Sequence, residues 1–311
     1  AAGGRKERGG VRRSRLYLVT GGDTPDNPYQ RGRTFVVTGA NSGIGAVTTR
    51  ALVAAGAQVI MACRDEVKAR AVANEIGDRA HVRRLDLADL ASIRQFADSV
   101  ERADVLINNA GVMALPLRRT ADGFEMQIGT NHLGHFALTG LLLDKIADRV
   151  VTVSSGAHVI GRIDLEDLNW ERRRYERWQA YGQSKLANLM FAYELQRRLA
   201  AAGSSKVSVA AHPGYAATEL QSHTESFLDR VMALGNRILA QSAEMGALPS
   251  LFAATADVEP GRFYGPTNLR GLRGHPGPSG SSAASRDEVA ARRLWELSEQ
   301  LTKVTYPFSR R

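Results

Sequence analysis

One cysteine, Cys63, stands in 311 residues. No disulfide can close within such a chain, and no cysteine-cluster metal site can be built, so none is expected. A reducing compartment fits that usage. Long apolar runs are also missing. The most apolar stretch, Ala51 to Cys63, has 13 residues and is interrupted by Gly56 and Gln58. A membrane helix needs about 20. Behind Arg12-Arg13 the apolar segment Leu16 to Val19 is four residues long, against the roughly 7–15 of a signal sequence. These absences lead us to expect a cytoplasmic protein with no membrane span.

A charge excess spread over the molecule is absent as well. The formal net charge is +9, but residues 1–15 hold Arg5, Lys6, Arg8, Arg12, Arg13 and Arg15 against Glu7 alone, and Arg310 and Arg311 add two more. Residues 16–309 retain only +2. A basic arm can touch nucleic acid or anionic lipid. This one lacks interleaved aromatics, so we expect no nucleic-acid partner and read residues 1–32 as a tail and lead-in, disordered in part.

What is present alternates. β-rich apolar runs at Thr34 to Thr38, Ala57 to Ala62, Ala80 to Leu85, Asp104 to Ile107, Arg149 to Val153 and Lys206 to Ala211 are separated by helical patterns at Gly43 to Ala55, Glu66 to Ile76, Asp89 to Val100, Asp122 to Leu143 and Ala180 to Ala202. Nearly all-apolar strands interleaved with helices predict an α/β fold, a parallel sheet covered on both faces. Arg270 to Ser285 is rich in Gly, Pro and Ser and reads as a loop, followed by an amphipathic helix over 286–301.

Between the first strand and first helix lies Thr38-Gly-Ala-Asn-Ser-Gly-Ile-Gly45. Glycines there allow a tight turn and a close approach by a pyrophosphate, and the helix N-terminus offers free N–H groups to that anion. Arg64 ends the second strand, where an acidic residue would select the ribose hydroxyl of NAD. A guanidinium suits a 2′-phosphate instead, so NADP(H) is preferred over NAD(H). The other reading is a solvated Arg beside Asp65 as a helix cap. Asp86, ending the third strand, is placed to meet an adenine amino group or to serve as a loop residue. Tyr181 and Lys185 share a helix face, and a Lys cation there would lower the Tyr pKa toward the working range of a general acid/base. Ser154-Ser155 and Asn108-Asn109-Ala110-Gly111 end two further strands, where a parallel sheet places its ligand crevice.

Together TGANSGIG at 38–45, NNAG at 108–111, NHLGHF at 131–136, VSS at 153–155, YGQSK at 181–185 and HPG at 212–214 strongly resemble the short-chain dehydrogenase/reductase family, in its motif order over about residues 33–265. The retinol dehydrogenase and protochlorophyllide reductase-like branch is the most similar. The resemblance implies a single Rossmann-type, doubly wound sheet over residues 33–311. It implies an enzyme interconverting a carbonyl and an alcohol, the substrate a small molecule of hydrophobic character. It makes Tyr181 the general acid/base, Lys185 its pKa-lowering partner and ribose ligand, Ser155 rather than Ser154 the carbonyl-orienting hydroxyl, and Asn131 the anchor of a water relay. Gly39, Ser42, Gly43, Ile44 and Gly45 would cradle the pyrophosphate. Asn108, Ala110 and Gly111 would line the adenosine side, and Pro213, Gly214 and Thr218 the nicotinamide end. His132 and His135 are assigned to structure. A homo-oligomer is common in the family.

The chain departs from the common pattern at Ala157 to Gln179, an insert before Tyr181 read as an excursion at the site rim or a surface loop. Residues 215–241 carry Phe227, Leu228, Val231, Met232, Leu234, Ile238 and Leu239 at helical spacing, a lid over the substrate or a helix packed on the core or a partner. A non-catalytic nucleotide sensor on the same fold is the competing reading, which the intact Asn131, Ser155, Tyr181 and Lys185 set opposes.

Overall fold

The computed structural model describes residues 30–214, 243–268, 271 and 273–309. The basic arm, Thr218, the apolar stripe of 215–241 and Arg310–Arg311 lie outside the described residues.

The chain runs β1 (Thr34–Thr38), α1 (Gly43–Ala54), β2 (Gln58–Cys63), α2 (Glu66–Ile76), β3 (Ala80–Arg84), α3 (Leu90–Ser99) and β4 (Ala103–Asn108). A helical turn at Met126–Ile128 and a π turn at Gly129–Leu133 lead into α4 (Gly134–Leu142), then β5 (Ile146–Val153), α5 (Arg177–Ala201), β6 (Val207–Ala211), α6 (Ala243–Thr255), β7 (Phe263–Asn268), β8 (Arg273–Pro278) and α7 (Glu288–Thr302). The sheet order is β3-β2-β1-β4-β5-β6-β7-β8. All pairs are parallel except β7 with β8. Strand order reverses between β1 and β4, which opens a crevice at their carboxyl ends.

Alternation along the strands assigns the two faces. Val36, Ile60, Leu106 and Val150 point to one side and pack on Ile93 and Phe96 of α3, Phe136 of α4 and Leu195 of α5. Their neighbours Phe35, Val37, Val59, Met61, Val105, Ile107 and Val151 point to the other and pack on Leu52 of α1, Ala69 of α2 and Leu251 of α6. The period of two thus builds two apolar layers from one sheet.

Two elements differ from the sequence reading, and the insert before Tyr181 gains detail. The segment 270–285 is not all loop: β8 closes the sheet through an antiparallel register that includes Pro266 opposite Pro276. Proline is tolerated there because Pro276 lies on the edge strand and Pro266 lies past Tyr264, where the pairing of β7 with β6 ends. α6, whose apolar residues surround it and whose interior holds Pro249, has no one-faced periodicity to read. The insert at 157–179 is packed rather than loose. Trp170 is buried, Arg173 stacks on it at 3.7 Å and donates to Gln183 Oε1 at 2.6 Å. Tyr175 donates to the buried Glu125, which in turn caps the turn before the π segment.

α7 covers the outer surface of α4 and α5. Its Trp295 stacks on Phe191 at 5.7 Å and meets Phe136 edge-on at 5.0 Å, and Arg198 lies over its ring at 4.5 Å. No helix among the described residues is long and apolar enough to cross a membrane.

Candidate active site

The crevice between β1 and β4 begins with the glycine loop. Gly39 has φ +65° and its Cα faces the Ala110 backbone, where an added Cβ would lie 3.0 Å from the Ala110 Cα. Gly43 opens α1 with φ +47°. A Cβ on Gly45 would run into the Gly39 carbonyl and the Asn109 amide, so the chain makes contact here that only glycine permits. Ser42, the residue before α1, makes no side-chain cap. The first N–H groups of α1 therefore stay open to an anion. Ile44 packs partly into the layer beneath.

Arg64 is exposed at the end of β2, and among the described residues it has no ion-pair partner. Asp65 is committed elsewhere: its Oδ1 accepts from the Lys68 N–H at 2.9 Å and caps α2. Asp86 accepts from the Ala88 N–H at 2.9 Å, so one carboxylate oxygen holds its own turn.

Asn108 does not line the crevice with its side chain, contrary to expectation. It is buried and donates to Thr139 Oγ1 at 2.9 Å, inward toward α4. The strand alternates, so the next residue faces the loop: Asn109 Nδ2 donates to the Thr38 carbonyl at 2.8 Å. The Asn109 and Ala110 N–H groups both donate to Thr38 Oγ1 at 2.9 Å.

Tyr181 and Lys185 sit one turn apart on α5, with the Lys185 Nζ 5.8 Å from the Tyr181 ring centre. Lys185 Nζ donates to the Val153 carbonyl at 3.2 Å, and the Cβ position of Gly111 lies 3.5 Å from the same nitrogen. Ser155 follows β5, caps the turn Gly156–Ile160 by accepting from the Ala157 N–H, and neighbours the Tyr181 hydroxyl. Asn131 lies in the π turn. Its Oδ1 accepts from the Val112 N–H at 2.8 Å, and its Nδ2 donates to the Val112 carbonyl and to Ser184 Oγ at 2.9 Å each. Pro213 and Gly214 follow β6, and the Gly214 N–H donates to His212 Nδ1 at 3.3 Å.

Burial dominates the electrostatics of the pair. Burial raises the Tyr181 pKa, and the Ser155 hydrogen bond offsets part of that rise. Burial brings Lys185 down to about 8. Each desolvated group favours its neutral form.

The crevice fits a dinucleotide: a glycine cradle that side chains would fill, an uncapped helix N-terminus for phosphate, and an unpaired guanidinium at the second strand end. The short chain dehydrogenase family matches residues 33–229. The chain belongs to that family. Human retinol dehydrogenase 13 is 44% identical over 310 residues, covering 93% of this chain and 90% of the relative. A crystal structure of an uncharacterized protein from Mycobacterium paratuberculosis is 55% identical, with a TM-score of 0.80 over 91% of this chain and 97% of that one. The Pseudomonas aeruginosa RhlG/NADP complex, 22% identical, shares the fold at a TM-score of 0.60 over 76% of this chain and 96% of its own. As a short-chain dehydrogenase of the retinol dehydrogenase-like branch, the protein is an NAD(P)-dependent enzyme acting on CH–OH and C=O groups.

Sequence reasoning missed the residues that bind these motifs together. Thr38 opens the glycine motif with no role of its own in the sequence reading, although it accepts from two residues of NNAG. His135 was set aside with His132, although its place four residues after Asn131 was a visible signal.

Proposed function

We propose that this short-chain dehydrogenase uses NADP(H) to interconvert a hydrophobic carbonyl and its alcohol, with Tyr181 as general acid/base and residues 33–311 as one catalytic unit. The observation that carries this reading is the convergence of Ser155, Tyr181 and Lys185 at the crevice, with Asn131 bonded to Ser184 of the same helix and held beside Gly111.

The nicotinamide, when bound, supplies or receives the hydride. In the reducing direction the buried Tyr181 phenol is protonated and donates its proton to the developing alkoxide. Ser155 donates a hydrogen bond to the same oxygen and holds the carbonyl in place. Lys185, as the cation, stabilises the tyrosinate that remains and takes the cofactor ribose hydroxyls. Asn131 anchors the water through which Tyr181 regains its proton. Gly39, Ser42, Gly43, Ile44 and Gly45 hold the pyrophosphate, and Arg64 pairs with the 2′-phosphate through charge-assisted hydrogen bonds. Ala110 and Gly111 present backbone to the adenosine side, with Asp86 at the adenine edge. Pro213 and Gly214, with Thr218 beyond them, meet the nicotinamide end.

The relatives' name makes retinol and its aldehyde the first pair to assay, within a panel of apolar carbonyls and alcohols followed by nicotinamide absorbance with both cofactors. Tyr181→Phe should abolish turnover, with NADPH affinity within about threefold of wild type. Loss of NADPH binding together with turnover would make Tyr181 structural and overturn the assignment.

A further inference from the structure

His135 and His132 are both buried and lie one turn apart, but their hydrogen bonds lead to different places. His132 Nε2 bonds Ser298 Oγ at 2.9 Å, in α7. His135 Nδ1 bonds the Asn131 carbonyl at 2.9 Å, and its Nε2 bonds Thr38 Oγ1 at 2.8 Å.

These contacts define the tautomer. A carbonyl only accepts, so the His135 proton is on Nδ1 and Nε2 carries a lone pair. Thr38 must then donate its hydroxyl hydrogen to Nε2. A competing acceptor, the Ile107 carbonyl, is longer at 3.4 Å. The two remaining lone pairs of Thr38 Oγ1 accept from the Asn109 and Ala110 N–H groups. Every polar hydrogen and lone pair of the two side chains is thus used once. Burial, with the nearby Lys185 adding to it, holds His135 neutral by bringing its pKa down to about 4, which keeps the acceptor on Nε2 available at physiological pH.

The bonds close a ring. Thr38 holds Asn109 and Ala110 from one side. Asn131 holds Val112 from the other through both atoms of its amide. Gly111 lies between, with its Cβ position 3.2 Å from Asn131 Oδ1 and 3.5 Å from Lys185 Nζ. His135 joins Asn131 back to Thr38. Three segments far apart in sequence thus share one closed circuit, and the imidazole is its sole link between the glycine-loop end of β1 and the π turn among the bonds described.

We propose that His135 is a positioning residue, fixing Asn131 relative to the cofactor loop so that the proton-relay side and the nucleotide side of the crevice are held in one register. This rests on the oxidoreductase reading above for Asn131. Its two nitrogens serve the two sides separately: Nδ1 aims the Asn131 backbone, and Nε2 orients Thr38 and, through it, Ala110.

Two substitutions divide these tasks. His135→Asn puts an amide where Nδ1 was, keeps the donor to Asn131 and loses the acceptor for Thr38. His135→Gln reaches the Nε2 position, keeps the acceptor and loses the donor. His135→Asn should raise the Kd for NADPH, read by nucleotide fluorescence, by about 5- to 100-fold, the scale of one buried unpaired group, with kcat near wild type. His135→Gln should lower kcat by a similar factor with Kd near wild type. His132→Gln, the neighbouring buried imidazole, should lower Tm and move neither. Equal changes in Kd and kcat in both His135 variants, or a pattern matching His132→Gln, would overturn the proposal.

Nitrogen-15 imidazole spectra of the wild-type protein test the same point without a variant. They should show an Nδ1–H tautomer for His135 that does not titrate between pH 5 and 8. An Nε2–H tautomer or titration in that range would refute it. The Kd and spectroscopic readouts do not depend on turnover, so an inactive but nucleotide-binding enzyme would count against the proposed reaction and leave the His135 circuit to be judged on its own.

Discussion

The Ser154 hydroxyl donates to the backbone carbonyl of Lys185 at 2.8 Å and so pins α5 to the end of β5. Lys185 answers by donating its Nζ to Val153 at 3.2 Å. The two serines of this strand end therefore have different work, Ser154 within the framework and Ser155 at Tyr181. Ser154→Ala should cost about 1 kcal/mol of stability, the net worth of one hydrogen bond, and retain most of kcat. Ser155→Ala should reduce kcat by about 100-fold or more, with a loss of stability of about 1 kcal/mol from the turn cap it also supplies. Steady-state kinetics separate the two variants, since thermal melts should report similar small losses for both.

Arg64 gives a discrimination test. Its replacement by Ala should weaken NADPH about 10- to 100-fold, the scale of hydrogen bonds to a charged group, and leave NADH within about twofold. Comparable losses for both cofactors would remove the 2′-phosphate role.

Lys185 carries a pH-dependent penalty. Its folded-state pKa of about 8 lies below its ordinary 10.5, so the unfolded chain binds the extra proton between those values. Stability gained from deprotonation thus rises with pH from about 8 to 10.5 and is absent below 8. Lys185→Met should raise Tm at pH 7, and its advantage should shrink as pH climbs through that window. Denaturant titrations at pH 7, 9 and 10 report the trend, and turnover should be lost at every pH.

Acid acts through the histidines. Burial brings His132 to about 3, and His135 and His212 to about 4, from an ordinary 6.5. Above pH 6.5 both folded and unfolded chains hold them neutral, and their contribution to stability is complete. As pH falls from 6.5 toward 4 the unfolded chain takes up protons that the folded chain refuses. Each group then removes up to about 1.4 kcal/mol per pH unit. Urea midpoints should fall between pH 6.5 and 4, and His132→Gln should flatten that slope.

The strands and helices up to residue 211 were legible because each has one strong period. Thr34–Thr38 and Glu66–Ile76 were read at their observed bounds. α6 escaped because it is buried on all sides, and β8 because its Arg-Gly-His-Pro-Gly-Pro composition is that of a turn. The crevice residues were legible from motif and order, since Gly45, Ser155, Tyr181 and Lys185 must be what they are for local reasons of space and chemistry. Asn108 was misplaced because the alternation of a strand decides which of two adjacent asparagines faces a ligand, and the last residue of β4 turns inward. The Thr38–His135–Asn131 connection was not legible, because hydrogen bonds spanning 97 residues leave no periodic trace.

α7 is translated after all of the strands described, yet its Trp295 covers Phe136 and Phe191 on helices made far earlier. During synthesis the crevice residues are complete while that aromatic face is still bare. A nascent chain at this stage carries its chemistry beside an exposed sticky surface, a condition that invites chaperones and self-association. Closing the face is thus a late event in the protein's biogenesis, and damage to α7 should be felt first as poor yield of folded enzyme rather than as altered catalysis.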